Sequence, residues 1–127
     1  MSEAPRTWLW PLAYLATPYS LYPAGLDAAY EDACALAGRL LQINVKTYSP
    51  IAHSHGLARH AGLDPLAHDF WMDFDRAMMA RLDVLLVAHL PSWEASRGIA
   101  AEIAFFAAAG KPVFDLDPDT LSLMRRK

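Results

Sequence analysis

The sequence has a single cysteine and no long apolar segment. Cys34 excludes a disulfide within the chain, and it shares a helical stripe with Tyr30, Ala37 and Leu41, so we expect it to pack in the core. No uninterrupted apolar run approaches the roughly 20 residues that span a bilayer. The N-terminus also has no basic start followed by a long apolar stretch. We therefore expect a soluble, cytoplasmic protein without a membrane partner.

An excess of basic residues is also absent. The formal net charge is -3, which offers no general electrostatic footprint for a nucleic-acid backbone, although small anionic ligands can still bind at local sites. The 127 residues are enough for one domain with a real core and too few for two. With 54% hydrophobic and 20% charged residues, we expect a single globular domain over residues 1–127.

Short apolar runs alternate with helical periodicity along the chain. The predicted strands and helices are, in order, strand 12–16, helix 26–41, strand 45–48, helix 70–81, strand 83–88, helix 96–109 and strand 112–116. Residues 51–68 look irregular, with room for one short helix, and Asp117 followed by Pro118 predicts the start of a last short helix.

This alternation predicts a fold class and the location of a ligand site. Strands that alternate with helices form right-handed βαβ units, which favours a three-layer Rossmann/flavodoxin-like α/β domain with an open parallel sheet and helices on both faces. Ligands in such folds bind beyond the carboxyl ends of the strands. The loops that follow the first three strands contain residues 17–20, 49–55 and 89–98, where we expect the site.

Glu102 interrupts an apolar face of the predicted helix 96–109. Gly98 and Ile99 lie one turn before it, and Phe105 and Phe106 lie one turn after it. A carboxylate is rarely buried without a partner, because an apolar wall cannot replace its hydration. Glu102 is therefore either exposed at the edge of the stripe or placed in a cleft where it has a function.

Ser96, Arg97 and Gly98 stand at the predicted start of the same helix. The free amide groups of a helix start favour an anion, Ser96 can cap the helix or donate to a ligand, and Gly98 allows a ligand to approach the backbone. The pattern fits a phosphate or carboxylate site, and it also fits simple helix capping.

Four of the five histidines lie between residues 51 and 68, with His53 and His55 in a His-x-His arrangement. That spacing occurs in metal sites, but no cysteine or carboxylate nearby completes a recognised ligand pattern, so we expect no metal. We expect these histidines to line the loop, with His53 as the candidate ligand contact. Asp73 and Asp75 lie early in a predicted helix, where acids are favoured by the helix dipole whether or not they have a function.

Three motifs together resemble the nucleoside 2-deoxyribosyltransferase superfamily. They are the segment YLATPY at residues 14–19, Asp75 placed eight residues before Asp83, and the pattern Ser96-x-Gly98-x-x-x-Glu102. The last pattern is most similar to the 2′-deoxynucleoside 5′-monophosphate N-glycosidases. The fuller string from Leu90 to Glu102 resembles small, largely uncharacterised bacterial and phage-associated members. The resemblance extends over nearly the whole chain.

The resemblance implies a role for each matching residue. Glu102 would be the nucleophile that attacks the anomeric carbon, Asp75 the acid that assists departure of the base, and Tyr14 the residue that orients Glu102 through its hydroxyl. Ser96 and Gly98 match the region that receives the 5′ end of the sugar, including a phosphate in the monophosphate hydrolases.

The loop after the first strand differs from that of the monophosphate hydrolases. Thr17, Pro18 and Tyr19 are candidate substrate contacts, but the loop lacks the Gly and Arg residues found in those enzymes. Trp93 either stacks on a base or packs under its loop. The transferases carry an acidic residue at the position of Ser96, so the resemblance favours hydrolysis over transfer.

From these residues we expect a hydrolase that cleaves the N-glycosidic bond of a (deoxy)nucleoside or its 5′-monophosphate. The alternatives are a nucleoside deoxyribosyltransferase and a nucleotide-binding module without catalysis. The resemblance implies no cofactor, a small-molecule nucleoside or nucleotide as the partner, and a homo-oligomer.

Overall fold

The computed structural model describes residues 12–127, so the part of the predicted domain before Leu12 lies outside the described residues. The elements are β1 (Ala13–Ala16), α1 (Leu26–Gln42), β2 (Thr47–Tyr48), α2 (Pro50–Ala61), α3 (His68–Met79), β3 (Val84–Ala88), a 3₁₀ turn (Trp93–Ala95), α4 (Arg97–Ala108), β4 (Val113–Leu116) and β5 (Leu123–Arg125). Within residues 12–127, no helix has both the length and the apolar character needed to cross a membrane.

The strands form one sheet in the order β2-β1-β3-β4-β5. The first four strands are parallel, and β5 runs antiparallel to β4 at the edge. This order is that of the flavodoxin-like doubly wound sheets, in which the chain reverses its direction of winding between β1 and β3. The predicted α/β fold class is confirmed.

Two cores lie on opposite faces of the sheet, because successive side chains of a strand point in opposite directions. Tyr14 of β1 packs in one core with Met79 of α3 and Phe106 of α4. Leu15, the next residue, packs in the other core with Leu36 of α1. Helices therefore cover both faces, and the three-layer arrangement is confirmed.

The segment after β2 begins with a helix of 12 residues, so the short helix allowed for within residues 51–68 is present, and it takes up more of this segment than was predicted. Ser49 caps α2 by accepting a hydrogen bond from the Ala52 amide at 3.1 Å, and Pro50 occupies the first turn. Gly62, with φ of 69°, ends the helix in the left-handed conformation. A Ser-Pro pair after an apolar run is compatible with the end of a strand, and a serine cap followed by proline is equally a helix start.

The predicted last helix after Asp117 is wrong. The Asp117 carboxylate accepts hydrogen bonds from the amides of Asp119, at 2.8 Å, and Thr120, at 3.3 Å, which closes a tight turn. Leu121 then adopts a positive φ of 64°, and the chain returns as β5. The same aspartate that can cap a helix caps a turn here, so the sheet is not entirely parallel.

The predicted core stripe of α1 is displaced by about one position. Leu41 of α1 is 54% exposed and Cys34 is half-buried, because the buried face of α1 is formed by Ala29, Ala33, Leu36 and Leu40. Phe74 of α3 likewise lies beside the buried residues of its helix and is 41% exposed. Apolar residues next to the buried face of a helix make that face look wider in the sequence pattern than it is. Only the packing of the folded protein decides which of them are buried.

Candidate active site

A cavity of about 250 Å³ opens where the loops after β1 and β3 diverge. This is the position at which doubly wound sheets bind ligands, since the loops leave the carboxyl ends of neighbouring strands in opposite directions. The cavity is lined by the loop after β1, by α2 and α3, and by the start of α4; the lining residues are Thr17, Tyr19, Ser20, Ile51, Ser54, Pro65, Leu66, His68, Trp71, Met72, Asp75, Ser96, Arg97, Gly98 and Glu102.

Glu102 and Tyr14 form a buried pair at this cavity. The Tyr14 hydroxyl donates a hydrogen bond to Glu102 Oε2 at 2.6 Å. Tyr14 is fully buried and Glu102 is 6% exposed. A length of 2.6 Å is typical of a strong hydroxyl-to-carboxylate bond, which holds the Glu102 side chain in one orientation. The predicted hydrogen bond between these residues is present.

Asp75 lies in the same cavity and is 8% exposed. Burial raises its pKa to about 6, although the Tyr14 hydroxyl, which is near this carboxyl as well, acts to lower it. Burial raises the pKa of Glu102 to about 8; the hydrogen bond from Tyr14 lowers it, and the charge of Asp75 raises it. Near neutral pH the pair therefore holds about one proton, as two carboxyls in a shared apolar site do.

The start of α4 combines a helix cap with the cavity wall. Ser96 Oγ accepts a hydrogen bond from the Ile99 amide at 3.1 Å, so the capping interpretation is confirmed. Ser96, Arg97 and Gly98 also line the cavity. A Cβ added at Gly98 would meet only Ser96 Oγ, at 3.8 Å, so packing does not require glycine there. Capping and ligand access are compatible at this helix start.

Thr17 lines the same cavity and carries an unpaired, buried hydroxyl. It is 5% exposed, and its Oγ1 has no hydrogen-bond partner among residues 12–127. A buried hydroxyl without a partner loses the free energy of hydration, which a ligand oxygen can restore. Tyr19 lines the cavity too, whereas Pro18, between them, is fully buried and does not.

His53 and Trp93 do not line this cavity. The ring of His53 stacks on Phe74 at 4.9 Å, because α2 turns it to a different face from its neighbour Ser54. The ring centroids of Trp93 and His89 are 4.0 Å apart in a stacked arrangement. Of the two alternatives for Trp93, this is packing within its own loop. Within residues 12–127, no group of three or more His, Cys, Asp or Glu side chains is placed to hold a metal ion.

Tyr48 and His55 belong to the surroundings of the site, and neither was assigned a role from sequence. Burial and the charges of Asp75 and Glu102 raise the pKa of Tyr48, whose hydroxyl is buried without a partner in residues 12–127. Tyr48 is the last residue of β2, and a polar aromatic residue at the carboxyl end of a strand is the sequence feature that could have identified it as a site residue.

His55 hydrogen-bonds to Tyr19. The sequence could not show which side of α2 carries His55, because α2 itself has to be recognised first.

Comparison with known proteins places this fold and site in one family. No curated protein matches the chain. Residues 12–117 match the model of a family described as "Domain of unknown function (DUF1937)", a range that includes β1 to β4 and the residues Tyr14, Asp75 and Glu102. Because the match covers most of the chain, the protein belongs to the DUF1937 family.

Proposed function

We propose that this protein is a cytoplasmic enzyme that hydrolyses the N-glycosidic bond of a (deoxy)nucleoside or nucleoside 5′-monophosphate. The observation that carries the proposal is the pair of buried carboxyls, Glu102 and Asp75, in one cavity at the switch point of the sheet, with Tyr14 bonded to Glu102. Glycosidases that work through two carboxyls need one of them ionised and the other protonated. A pair that holds one proton near neutral pH meets this requirement.

In the first step, ionised Glu102 attacks the anomeric carbon of the sugar. A bond forms between its carboxylate oxygen and that carbon, and the bond from carbon to base nitrogen breaks with its electron pair passing to the base. Protonated Asp75 donates its proton to the departing base. The oxocarbenium character that develops on the sugar is stabilised by the nearby carboxylate.

In the second step, water attacks the anomeric carbon of the glycosyl-enzyme. The Asp75 carboxylate accepts the proton of this water, which releases the sugar and returns Glu102 to its ionised form. If a second nucleobase attacked the glycosyl-enzyme in place of water, the reaction would be a glycosyl transfer. The serine at position 96 favours hydrolysis through the resemblance described above.

The free protein holds its shared proton mainly on Glu102, since the pKa of Glu102 is higher than that of Asp75. Positive charge that develops on the sugar favours the ionised form of Glu102 and thus moves the proton toward Asp75. Tyr14 supports ionisation of Glu102 because its hydroxyl donates a hydrogen bond to that carboxylate, whereas its smaller influence on Asp75, whose pKa it also lowers, acts in the opposite direction. Substrate binding therefore determines that Asp75 is the protonated acid and Glu102 the ionised nucleophile.

Three features of the cavity support an oxygen-rich or anionic group at the 5′ end of the sugar. The Thr17 hydroxyl lacks a partner within residues 12–127, the α4 amides begin at the cavity, and Arg97 is one of the lining residues. Arg97 provides a cation that the loop after β1 does not contain. Amides at a helix start together with a guanidinium are suited to a phosphate.

The direct test is release of free base from a panel of nucleosides and 5′-monophosphates. We expect the native protein to act on at least one of them and Glu102→Gln to lose at least about a thousandfold in rate. Glu94→Gln is the matched control, because Glu94 is exposed on the 3₁₀ turn outside the cavity. Equal release by Glu102→Gln would overturn the mechanism. Saturable binding without any base release would instead identify a binding module.

We also propose that the protein forms a homo-oligomer. Phe70 and Phe74 lie one helical turn apart on α3 and are 58% and 41% exposed, which supports a face that a second copy covers. Trp71 and Met72 are buried within the protomer and do not contribute to such a face. Light scattering coupled to size-exclusion chromatography tests this, and a monomer at assay concentration would contradict it.

A further inference from the structure

A chain of hydrogen bonds runs from the cavity wall to the surface of α1. The Tyr19 hydroxyl is 2.7 Å from His55 Nδ1, and His55 Nε2 is 3.0 Å from Asp27 Oδ1. The side chain of His55 is only 8% exposed, and the ring of Tyr30 stacks on it at 4.4 Å. His55 is therefore held on both nitrogens and on one face of its ring, although it does not line the cavity itself.

The chemistry of these groups determines the direction of each hydrogen bond. A carboxylate can only accept, so His55 Nε2 carries the hydrogen that Asp27 accepts. A neutral imidazole then has an unprotonated Nδ1, which accepts the hydroxyl proton of Tyr19. The Tyr19 O–H is then occupied by its hydrogen bond to His55, so only the lone pairs of the Tyr19 oxygen remain for a ligand. Toward a ligand in the cavity, Tyr19 can act as an acceptor and not as a donor.

Other polar groups of the lining can donate. Arg97 and the amides at the start of α4 are donors, and the Thr17 hydroxyl can donate because it has no partner among residues 12–127. The carboxyls of Asp75 and Glu102 line the cavity as well. The cavity thus combines donors with the fixed acceptor of Tyr19, and such an arrangement can distinguish the donor and acceptor groups of a nucleoside.

We propose that Tyr19 is a specificity-determining contact that accepts a hydrogen bond from an N–H or O–H group of the ligand. His55 is a positioning residue that holds the Tyr19 proton, and Asp27 is a positioning residue that selects the His55 tautomer. The inference rests on the proposed function in that the ligand is a nucleoside or its 5′-monophosphate. The donor it recognises is an amino group of the base or a hydroxyl of the sugar.

The test measures binding by titration calorimetry with Glu102→Gln, in which the substrate is not consumed. The ligands are 2′-deoxyadenosine and three analogues that each lack one donor: purine 2′-deoxyriboside, 2′,3′-dideoxyadenosine and 2′,5′-dideoxyadenosine. The first three are also used as 5′-monophosphates. We expect one missing donor to weaken binding about tenfold. Adding Tyr19→Phe should abolish that difference, because it weakens every ligand that keeps this donor and leaves binding of the analogue that lacks the donor unchanged.

Variants of His55 and Asp27 separate positioning from packing. In His55→Asn the amide oxygen can still accept the Tyr19 proton, so selectivity should be retained, whereas His55→Leu should lose it. Asp27→Asn can donate to Nε2 as well as accept from it, so we expect relaxed selectivity without loss of folding at this exposed position. Tyr22→Phe is the control, because it removes a 2.6 Å hydroxyl-to-carboxylate bond with Asp32 outside the cavity.

Two results would overturn this inference: Tyr19→Phe weakens all ligands equally or none, or no ligand of the set binds. Failure of the glycosidase proposal gives a different result. If the native protein releases no base while Tyr19-dependent selectivity is observed, hydrolysis is wrong and the assigned role of Tyr19 stands.

Discussion

Tyr14 and Glu102 are 88 positions apart in the chain and are joined by a buried hydrogen bond of 2.6 Å. The bond links β1, an interior strand of the sheet, to the helix that follows β3. It fixes the side chain of the proposed nucleophile inside the protein, and it stabilises the ionised form of that carboxylate against the effect of burial.

The first prediction concerns the pH dependence of stability. The pKa of Glu102 rises from an ordinary value of 4.5 to about 8 on folding, so between these values the folded state holds a proton that the unfolded state has lost. The free energy of unfolding therefore decreases as pH rises through this window, with a slope of about 1.4 kcal/mol per pH unit from this group. Asp75 adds to the decrease up to about pH 6.

Glu102→Gln should reduce this slope and make the variant more stable than the native protein above pH 8. Urea unfolding measured from about pH 5 to about pH 9 tests this, because the series covers most of the window and extends beyond its upper end. Glu94→Gln should leave the profile unchanged. Parallel profiles for the native protein and Glu102→Gln would show that Glu102 is not a buried acid of raised pKa.

Tyr14→Phe should reduce the rate of base release by about tenfold to a hundredfold, the effect of losing one hydrogen bond to a charged group. Because that bond lowers the pKa of Glu102, its loss should also shift the acid limb of the pH–rate profile to higher pH. The control is Tyr22→Phe, whose lost bond to Asp32 lies outside the cavity. A lower rate with an unshifted acid limb would contradict the orienting role.

Asp75→Asn should slow release of an ordinary purine by roughly a hundredfold to ten-thousandfold, the range for loss of a general acid. In the first turnover the defect should be small with a 7-methylguanine nucleoside, because that base is already cationic and leaves without receiving a proton. The matched control is Asp73→Asn, two residues earlier on α3 and exposed. Equal defects with both leaving groups would rule out proton donation by Asp75.

Gly98→Ala distinguishes a ligand-binding helix start from a helix start that is only capped. The added methyl group has space, with Ser96 Oγ at 3.8 Å as its near neighbour, and alanine is favoured over glycine in a helix by about 0.5–1 kcal/mol. We therefore expect a thermal midpoint that is unchanged or higher, together with weaker substrate binding measured as an increase in KM. An unchanged KM would indicate that the ligand does not approach this backbone.

Local sequence patterns were sufficient for the fold class and for part of the site. The alternation of apolar runs with helical periodicity predicted the parallel βαβ core, and Ser96 was identified as a helix cap from its position. Glu102 could be singled out because burying a carboxylate on an apolar helical face is unfavourable unless it has a partner or a function. These features depend on spacings of a few residues, which a single sequence displays directly.

Contacts between distant segments decided the rest. Ser49-Pro50 can end a strand or begin a helix, and Asp117 can cap a helix or a turn; in each case the choice depends on what the following segment packs against. The Tyr14–Glu102 bond and the Tyr19–His55–Asp27 chain join elements whose order in space follows from the winding of the sheet. Their free energy comes from burial and mutual orientation, which exist only once the chain has folded.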